Sequence, residues 1–359
     1  MPAITDISNA RILVSGANGF LASWIVGDLL RKGYSVRAAV REKAKGRNLL
    51  KMYEEYGRKL ELSLVNDMNT EGAFDDAVKG VQGIIHTASP VHLDASHPKG
   101  KITMIDPAVN GQLAMLTSAM KHGSSVQRII ITSSCAAILD TVPDPTKDSA
   151  TVSELNWNMR PVEQCEKLNS HATGLDMYSA SKTLAEKAAW DFVDANKSTI
   201  SWDLTMLNPP WIFGPVKHEV SSLASLNSSC KMWADAVLNG DLGGYPDPLH
   251  FPGHGWVDVR DVSEAHVRAL TVPAAGGERI IVCAGAFVWQ DFSVIFPVDS
   301  ANALLPAPAM SLAKGTLGTV HRAITFDTAK ERRILGIDYK TMTDSTQDIL
   351  TDYVARGWC

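Results

Sequence analysis

Cysteine is scarce and badly placed for structural use. The chain has five in 359 residues, Cys135, Cys165, Cys230, Cys283 and Cys359, odd in number and without metal-type pairing. That argues against a disulfide scaffold and points to a reducing compartment, the cytoplasm. No apolar run approaches the ~20 residues needed to span a bilayer, so no membrane helix is expected. Met1 to Ala10 lacks a basic stretch followed by an apolar one, so no secretory leader is expected. Cationic excess is also missing. With 34 Lys and Arg against 39 Asp and Glu, the net charge of -5 argues against nucleic acid as partner. There is no internal repeat, low-complexity tract or flexible linker. What remains, 45% hydrophobic and 20% charged residues, is the composition of an ordinary globular protein.

The first apolar run, Arg11 to Ser15, reads as a buried strand and stops at Gly16. Gly16-Ala17-Asn18-Gly19-Phe20-Leu21-Ala22 then opens a helix with Leu21, Ile25 and Leu29 on one face. A strand, a glycine turn and a helix in this order suit a dinucleotide: glycine lets the backbone approach a pyrophosphate, and the helix start offers unpaired N–H groups. Gly16, Asn18, Gly19, Phe20 and Leu21 are the expected contacts, and Ala22 permits close helix–strand packing. A second strand, Ser35 to Val40, ends at Arg41. An acid there would bind a ribose diol; two cations, Arg41 and Lys45, would instead pair with a 2′-phosphate, which favours NADPH over NADH. A solvated basic helix start is the alternative, and Glu42 stands nearby.

Lys59 to Val65 alternates as a third strand and leads to Asp67 and Met68, where Asp67 suits an adenine amine or a turn. Gly83 to Thr87 is a fourth strand; the small residues Ala88 and Ser89 after it would let a cofactor pass, and His86 reads as a packed strand histidine. A helix over Met104 to His122 leads to a fifth strand, Gln127 to Thr132, followed by Ser133 and Ser134. Adjacent serines on extended chain point opposite ways, so only one can donate to a developing oxyanion. Residues 140–176 turn polar and read as a long surface excursion. Trp202 to Leu207 is a sixth strand, broken at Asn208-Pro209-Pro210. Trp211, Ile212 and Phe213 would then lie over the nicotinamide end of the cofactor. Ser221 to Leu238 reads as a helix beside a substrate cleft, Trp256 to Leu270 as a short strand and helix, Ile280 to Cys283 as the last strand, and Asp344 to Arg356 as a terminal helix. Asp258 and Asp261 are expected to cap or pair.

Met177-Tyr178-Ser179-Ala180-Ser181-Lys182 opens a helix running to about Asn196, with Leu184, Ala185, Ala188, Ala189, Phe192 and Val193 at helical spacing. Tyr178 and Lys182 are one turn apart on one face. A free tyrosine holds its proton to a pH of roughly 10. An ammonium beside it favours the phenolate and makes the phenol a better donor to a carbonyl oxygen. The same spacing also occurs on ordinary solvated faces.

Together these segments resemble the extended short-chain dehydrogenase/reductase superfamily. The likeness runs through Val14 to Phe20, Arg41/Lys45, Ala88-Ser89, Thr132-Ser133-Ser134, Tyr178 to Lys182, Asn208-Pro209 and Val257 to Val262. Leu184 to Trp190 narrows it to the branch of dihydroflavonol and cinnamoyl-CoA reductases, yeast methylglyoxal/carbonyl reductases and fungal aldehyde/ketone reductases. The resemblance implies an α/β fold: a Rossmann-type doubly wound parallel sheet over 1–210, with 256–284 returning to it, and a smaller substrate lobe from 211–255 and 285–359. It implies catalysis by Ser134, Tyr178 and Lys182, with Lys182 also holding the nicotinamide ribose. It puts NADPH against the glycine turn, Arg41, Lys45, Asp67 and Met68, and against Ala88, Ser89, Thr132, Pro209, Trp211 and Ile212. The expected reaction is reduction of a small aldehyde or ketone, in a pocket drawing on Val91, Trp211, Phe213 and Ser222. A monomer is favoured, with a dimer open. Alternatives on the same fold are a nucleotide-sugar epimerase, a sterol dehydrogenase or a non-catalytic NADP-sensing regulator. From Phe287 on, including the Pro-rich run 300–308, the pattern departs from the family.

Overall fold

A computed structural model describes residues 3–89, 104–140, 149–168, 171–240, 252–294 and 322–359. Its centre is a seven-stranded sheet in the order β10-β7-β5-β4-β1-β2-β3. The strands are β1 (Arg11–Ser15), β2 (Ser35–Val40), β3 (Leu60–Leu64), β4 (Gly83–His86), β5 (Arg128–Thr132), β7 (Asp203–Asn208) and β10 (Arg279–Ile281). Every pairing is parallel. A parallel sheet needs both faces covered, which is why its central strands are largely apolar, while the edge strand β3 alternates.

Side chains alternate across that sheet. Ile12, Val14, Ile85 and Ile130 enter one core with helices α1 (Phe20–Arg31) and α7 (Val259–Thr271). Leu13, Ile84, Ile129 and Ile131 enter the other, beside α3 (Asp106–His122) and α5 (Gly174–Asn196). The chain reverses direction across the sheet between β1 and β4, so a crevice opens beyond their carboxyl ends, where open α/β sheets bind ligands. At the opposite end Arg128 clamps β5 to β7: its guanidinium donates bidentately to Asp203, at 2.6 and 2.8 Å, and to the carbonyls of Ala269 and Val272.

The remainder differs from the sequence reading in three places. First, residues 140–176 are more than a surface excursion. They contain β6 (Ala150–Val152) and α4 (Arg160–Leu168), and bury Glu154 and Asn158. Second, β10 is not the last strand: β11 (Gly285–Val288) and β12 (Ile324–Phe326) follow. β11 joins β9 (Pro252–Asp258) and β8 (Trp211–Phe213) in a three-stranded sheet, and β12 pairs with β6 in parallel. Third, the helix expected from Ser221 begins only at Ser228, giving α6 (Ser228–Asn239). Asp258 caps α7 by accepting the Arg260 N–H at 2.9 Å, and Asp261 accepts the Lys340 N–H at 2.9 Å, so both are structural as expected.

Candidate active site

The carboxyl ends of β1, β2 and β4 are locked together by short-range bonds. Gly16 takes φ +63°, a left-handed value that glycine adopts without strain. A Cβ there would lie 3.2 Å from the Ala88 Cα, so the turn also needs the missing side chain for space. Gly19 N–H closes the turn on the Gly16 carbonyl at 2.8 Å, and Ala17 N–H reaches the Ala39 carbonyl at 3.1 Å. Thr87 and Ala88 N–H groups both donate to Ser15 Oγ at 3.1 Å. Having accepted twice, the Ser15 hydroxyl gives its proton to His86 Nδ1 at 2.9 Å, which assigns the ring proton to Nε2. Burial pushes the His86 pKa down to about 3, so the ring is neutral, a packed strand histidine as expected.

α1 starts directly at Phe20, with Gly19 as its cap and no acidic residue in its first turn. Its first amides and dipole are therefore uncompensated by local charge. Arg41 and Lys45 are exposed at the start of the helix Lys43–Met52, with Lys45 3.5 Å from Glu42. Asp67 Oδ1 is used in a turn, accepting the Asn69 N–H at 2.9 Å, and Met68 packs on Gly111 of α3, where a side chain would not fit. The glycine cradle, the open helix start and the two exposed cations suit the pyrophosphate and 2′-phosphate of NADPH in size and charge.

Helix α5 starts three residues before Met177, at Gly174, because the Thr173 hydroxyl accepts the Asp176 N–H at 3.0 Å and caps it. Lys182 and Glu186 are buried on the face that carries Tyr178. The two serines after β5 diverge as extended chain requires. Ser133 donates to Glu186 at 2.5 Å. Ser134 accepts the Ala136 N–H at 3.1 Å, and its hydroxyl acts on the Tyr178 phenol, lowering its pKa. Lys182 Nζ stands over the Tyr178 ring, 5.9 Å from its centroid. Ser134, Tyr178 and Lys182 thus lie in direct sequence at the sheet's carboxyl end. A cleft beside them is lined by His86, Ala88, Ser89, Gln112, Thr132 and Lys182, among others.

The electrostatics depart from expectation at one point. Burial pushes the Tyr178 phenol above its ordinary value, the Ser134 hydrogen bond pulls it down, and Lys182 is not among the groups that shift it. Burial lowers Lys182 itself to about 8, opposed by the Glu186 charge.

Several pocket or cofactor residues need further comment. Phe213 is fully buried, ringed by Phe287, Trp289 and Phe292 at 5.5–5.7 Å, and is therefore core, not substrate pocket. It alternates inward on β8, which the sequence could not orient. Val91 lies outside the described residues. Ser222 shares its hydroxyl with Ser225 at 3.2 Å. Thr132 lines the cleft, but its hydroxyl serves α7: His266 Nδ1 donates to the Val262 carbonyl at 2.7 Å, so Nε2 accepts from Thr132 at 2.7 Å. Trp211 and Ile212 are half-buried on β8, directly after the Asn208-Pro209 corner, whose Pro209 carbonyl accepts the Cys135 N–H at 2.9 Å. Sequence reasoning missed Gln112, Asn208 and Glu186. The last could have been found as a charge one further turn along the Tyr178 and Lys182 stripe.

Residues 12–285 match the NAD dependent epimerase/dehydratase family. The chain is 33% identical over 358 residues to the ketoreductase azaE of Aspergillus niger, covering 97% of this chain and 98% of that protein. It is 32% identical over 348 residues to the NADPH-dependent methylglyoxal reductase GRE2 of Saccharomyces cerevisiae, covering 94% and 96%. The crystal structure of the yeast methylglyoxal/isovaleraldehyde reductase Gre2 complexed with NADPH superposes with a TM-score of 0.82, at 29% identity over 97% of this chain and 100% of that one.

Proposed function

Because the chain belongs to the NAD dependent epimerase/dehydratase family, we propose that it is an NADPH-dependent reductase of aldehydes and ketones, with Ser134, Tyr178 and Lys182 as its catalytic residues. The observation that carries this reading is the Lys182 ammonium over the Tyr178 ring, with the Ser134 hydroxyl acting on the same phenol, beside the Gly16 cradle. Similarity to the NADPH-dependent reductases supports the cofactor and the oxidoreductase class.

NADPH, when bound, supplies the hydride that reaches the carbonyl carbon. The chain's own groups act on the oxygen. Tyr178 gives its phenolic proton to that oxygen, and Ser134 donates a hydrogen bond to the charge developing there. Lys182 supplies a positive field over the tyrosine ring and would hold a ribose hydroxyl of the bound cofactor. Gly16, Asn18, Gly19, Phe20 and Leu21 hold the pyrophosphate, and Arg41 and Lys45 hold the 2′-phosphate. Binding thereby brings donor and acceptor carbons together, which removes much of the barrier. All three catalytic groups come from one chain, so a monomer suffices. The five free thiols fit the cytoplasm, and no helix among the described residues is long and apolar enough to cross a membrane.

The test is NADPH oxidation measured across aromatic aldehydes, aryl ketones, β-keto esters and 1,2-dicarbonyls, with NADH as control. Turnover of at least one class, faster with NADPH, is expected. NADPH binding without turnover of any carbonyl would replace this reading with a non-catalytic sensor.

A further inference from the structure

Glu186 lies four residues after Lys182 and eight after Tyr178, on one stripe of α5, and is only 1% exposed. Its Oε2 accepts from Ser133 at 2.5 Å and from Asn208 Nδ2 at 2.8 Å, and its Oε1 accepts from Arg279 Nε at 2.5 Å. The carboxylate therefore gathers the ends of β5, β7 and β10. Asn208 Nδ2 also donates to the Ser134 carbonyl at 3.2 Å, so the Ser134 backbone is one residue away from Glu186 in this network. Arg279 is itself fixed by the Glu154 and Asn156 carbonyls and stacks on Trp157 at 3.6 Å. Since Ser133 is held on one side, the extended chain turns Ser134 to the other, toward Tyr178.

We propose that Glu186 is a positioning residue: its buried carboxylate ties the strand end bearing Ser134 to the helix bearing Tyr178 and Lys182, and sets the charge that Lys182 meets. A buried carboxylate is costly unless paired and hydrogen-bonded, and packing alone would be served by an apolar side chain. Among the described residues the groups around Lys182 are few. His86 faces it from β4, and Tyr178 and Glu186 share its helix. Beyond Glu186 lie the buried Cys135 thiol, Arg279 and Glu154. Among the described residues Glu186 is the one carboxylate whose charge raises the Lys182 pKa against burial.

The inference rests on the proposed catalytic reading, and its test separates the two. Glu186→Gln in the full chain keeps one acceptor and removes the charge. With a carbonyl that the wild type reduces, kcat should fall at least threefold while NADPH affinity stays within threefold. The alkaline limb of the pH profile should move to lower pH by at least half a unit. A limb that does not move, or a kcat lowered less than threefold, overturns the proposal; a purely structural role would lower activity only with the folded fraction and leave the limb in place. Should Glu186→Gln not fold, Ser133→Ala decides: kcat lowered at least threefold supports the proposal, a smaller change overturns it. A wild type that reduces no carbonyl defeats the proposed function instead. The Lys182 titration, followed by NMR on 13C-labelled lysine, then decides this inference by the same half-unit shift in Glu186→Gln.

Discussion

The Lys182 ammonium stands over the Tyr178 ring, 5.9 Å from its centroid. Burial raises the Tyr178 phenol above its ordinary value, and the Ser134 hydroxyl opposes that rise. Burial brings Lys182 to about 8, so its charged form is lost as pH rises through that value. Turnover should hold up to about pH 7 and fall above about pH 8. A kcat profile from pH 6 to 10 checks this, and Lys182→Met should abolish the limb along with most of the activity.

Gly16 combines a left-handed φ with an Ala88 neighbour 3.2 Å from where a Cβ would sit. Gly16→Val should cost on the order of 1–3 kcal/mol in strain and push the turn away from the pyrophosphate. NADPH affinity, measured by fluorescence titration, should fall at least tenfold, with the thermal midpoint lowered.

Arg41 is exposed and free to meet a phosphate dianion bidentately. Arg41→Ala should raise the KM for NADPH by about tenfold or more, on the scale of a charged hydrogen-bond pair, and leave the KM for NADH nearly unchanged. The ratio of the two, with its salt dependence, is the measurement.

Asp261 is raised by burial to about 6, with the Lys340 N–H opposing and Asp258 adding to the rise. A carboxyl whose pKa is higher folded than unfolded favours the fold only while protonated. Its contribution is complete below about pH 4 and lost as pH rises through about 6. Asp261→Asn keeps an acceptor for Lys340 and should stabilise the protein at pH 8 by on the order of 1–3 kcal/mol, with little difference near pH 4. Thermal melts at the two pH values check the sign.

The strands β1, β5 and β7 were legible because each is a largely apolar run closed by a glycine, serine, asparagine or proline. The site was legible where chemistry and period coincide, as at Tyr178 and Lys182. Short strands paired across long separations were not: β6 meets β12 about 170 residues later in three residue pairs. Phe213 failed because an apolar residue at a strand end carries no sign of which face it takes. The balance at Tyr178 failed for another reason. Its sign depends on burial, which i,i+4 spacing does not fix.

The most direct test of the account is turnover by Tyr178→Phe, which removes one hydroxyl from the site and nothing else. A positioned proton donor is worth about 10²–10⁴-fold, so kcat for a good carbonyl substrate should fall at least a hundredfold, while NADPH affinity and the thermal midpoint stay close to those of the wild type. Turnover within a few-fold of the wild type would contradict the assignment of Tyr178 as the proton donor.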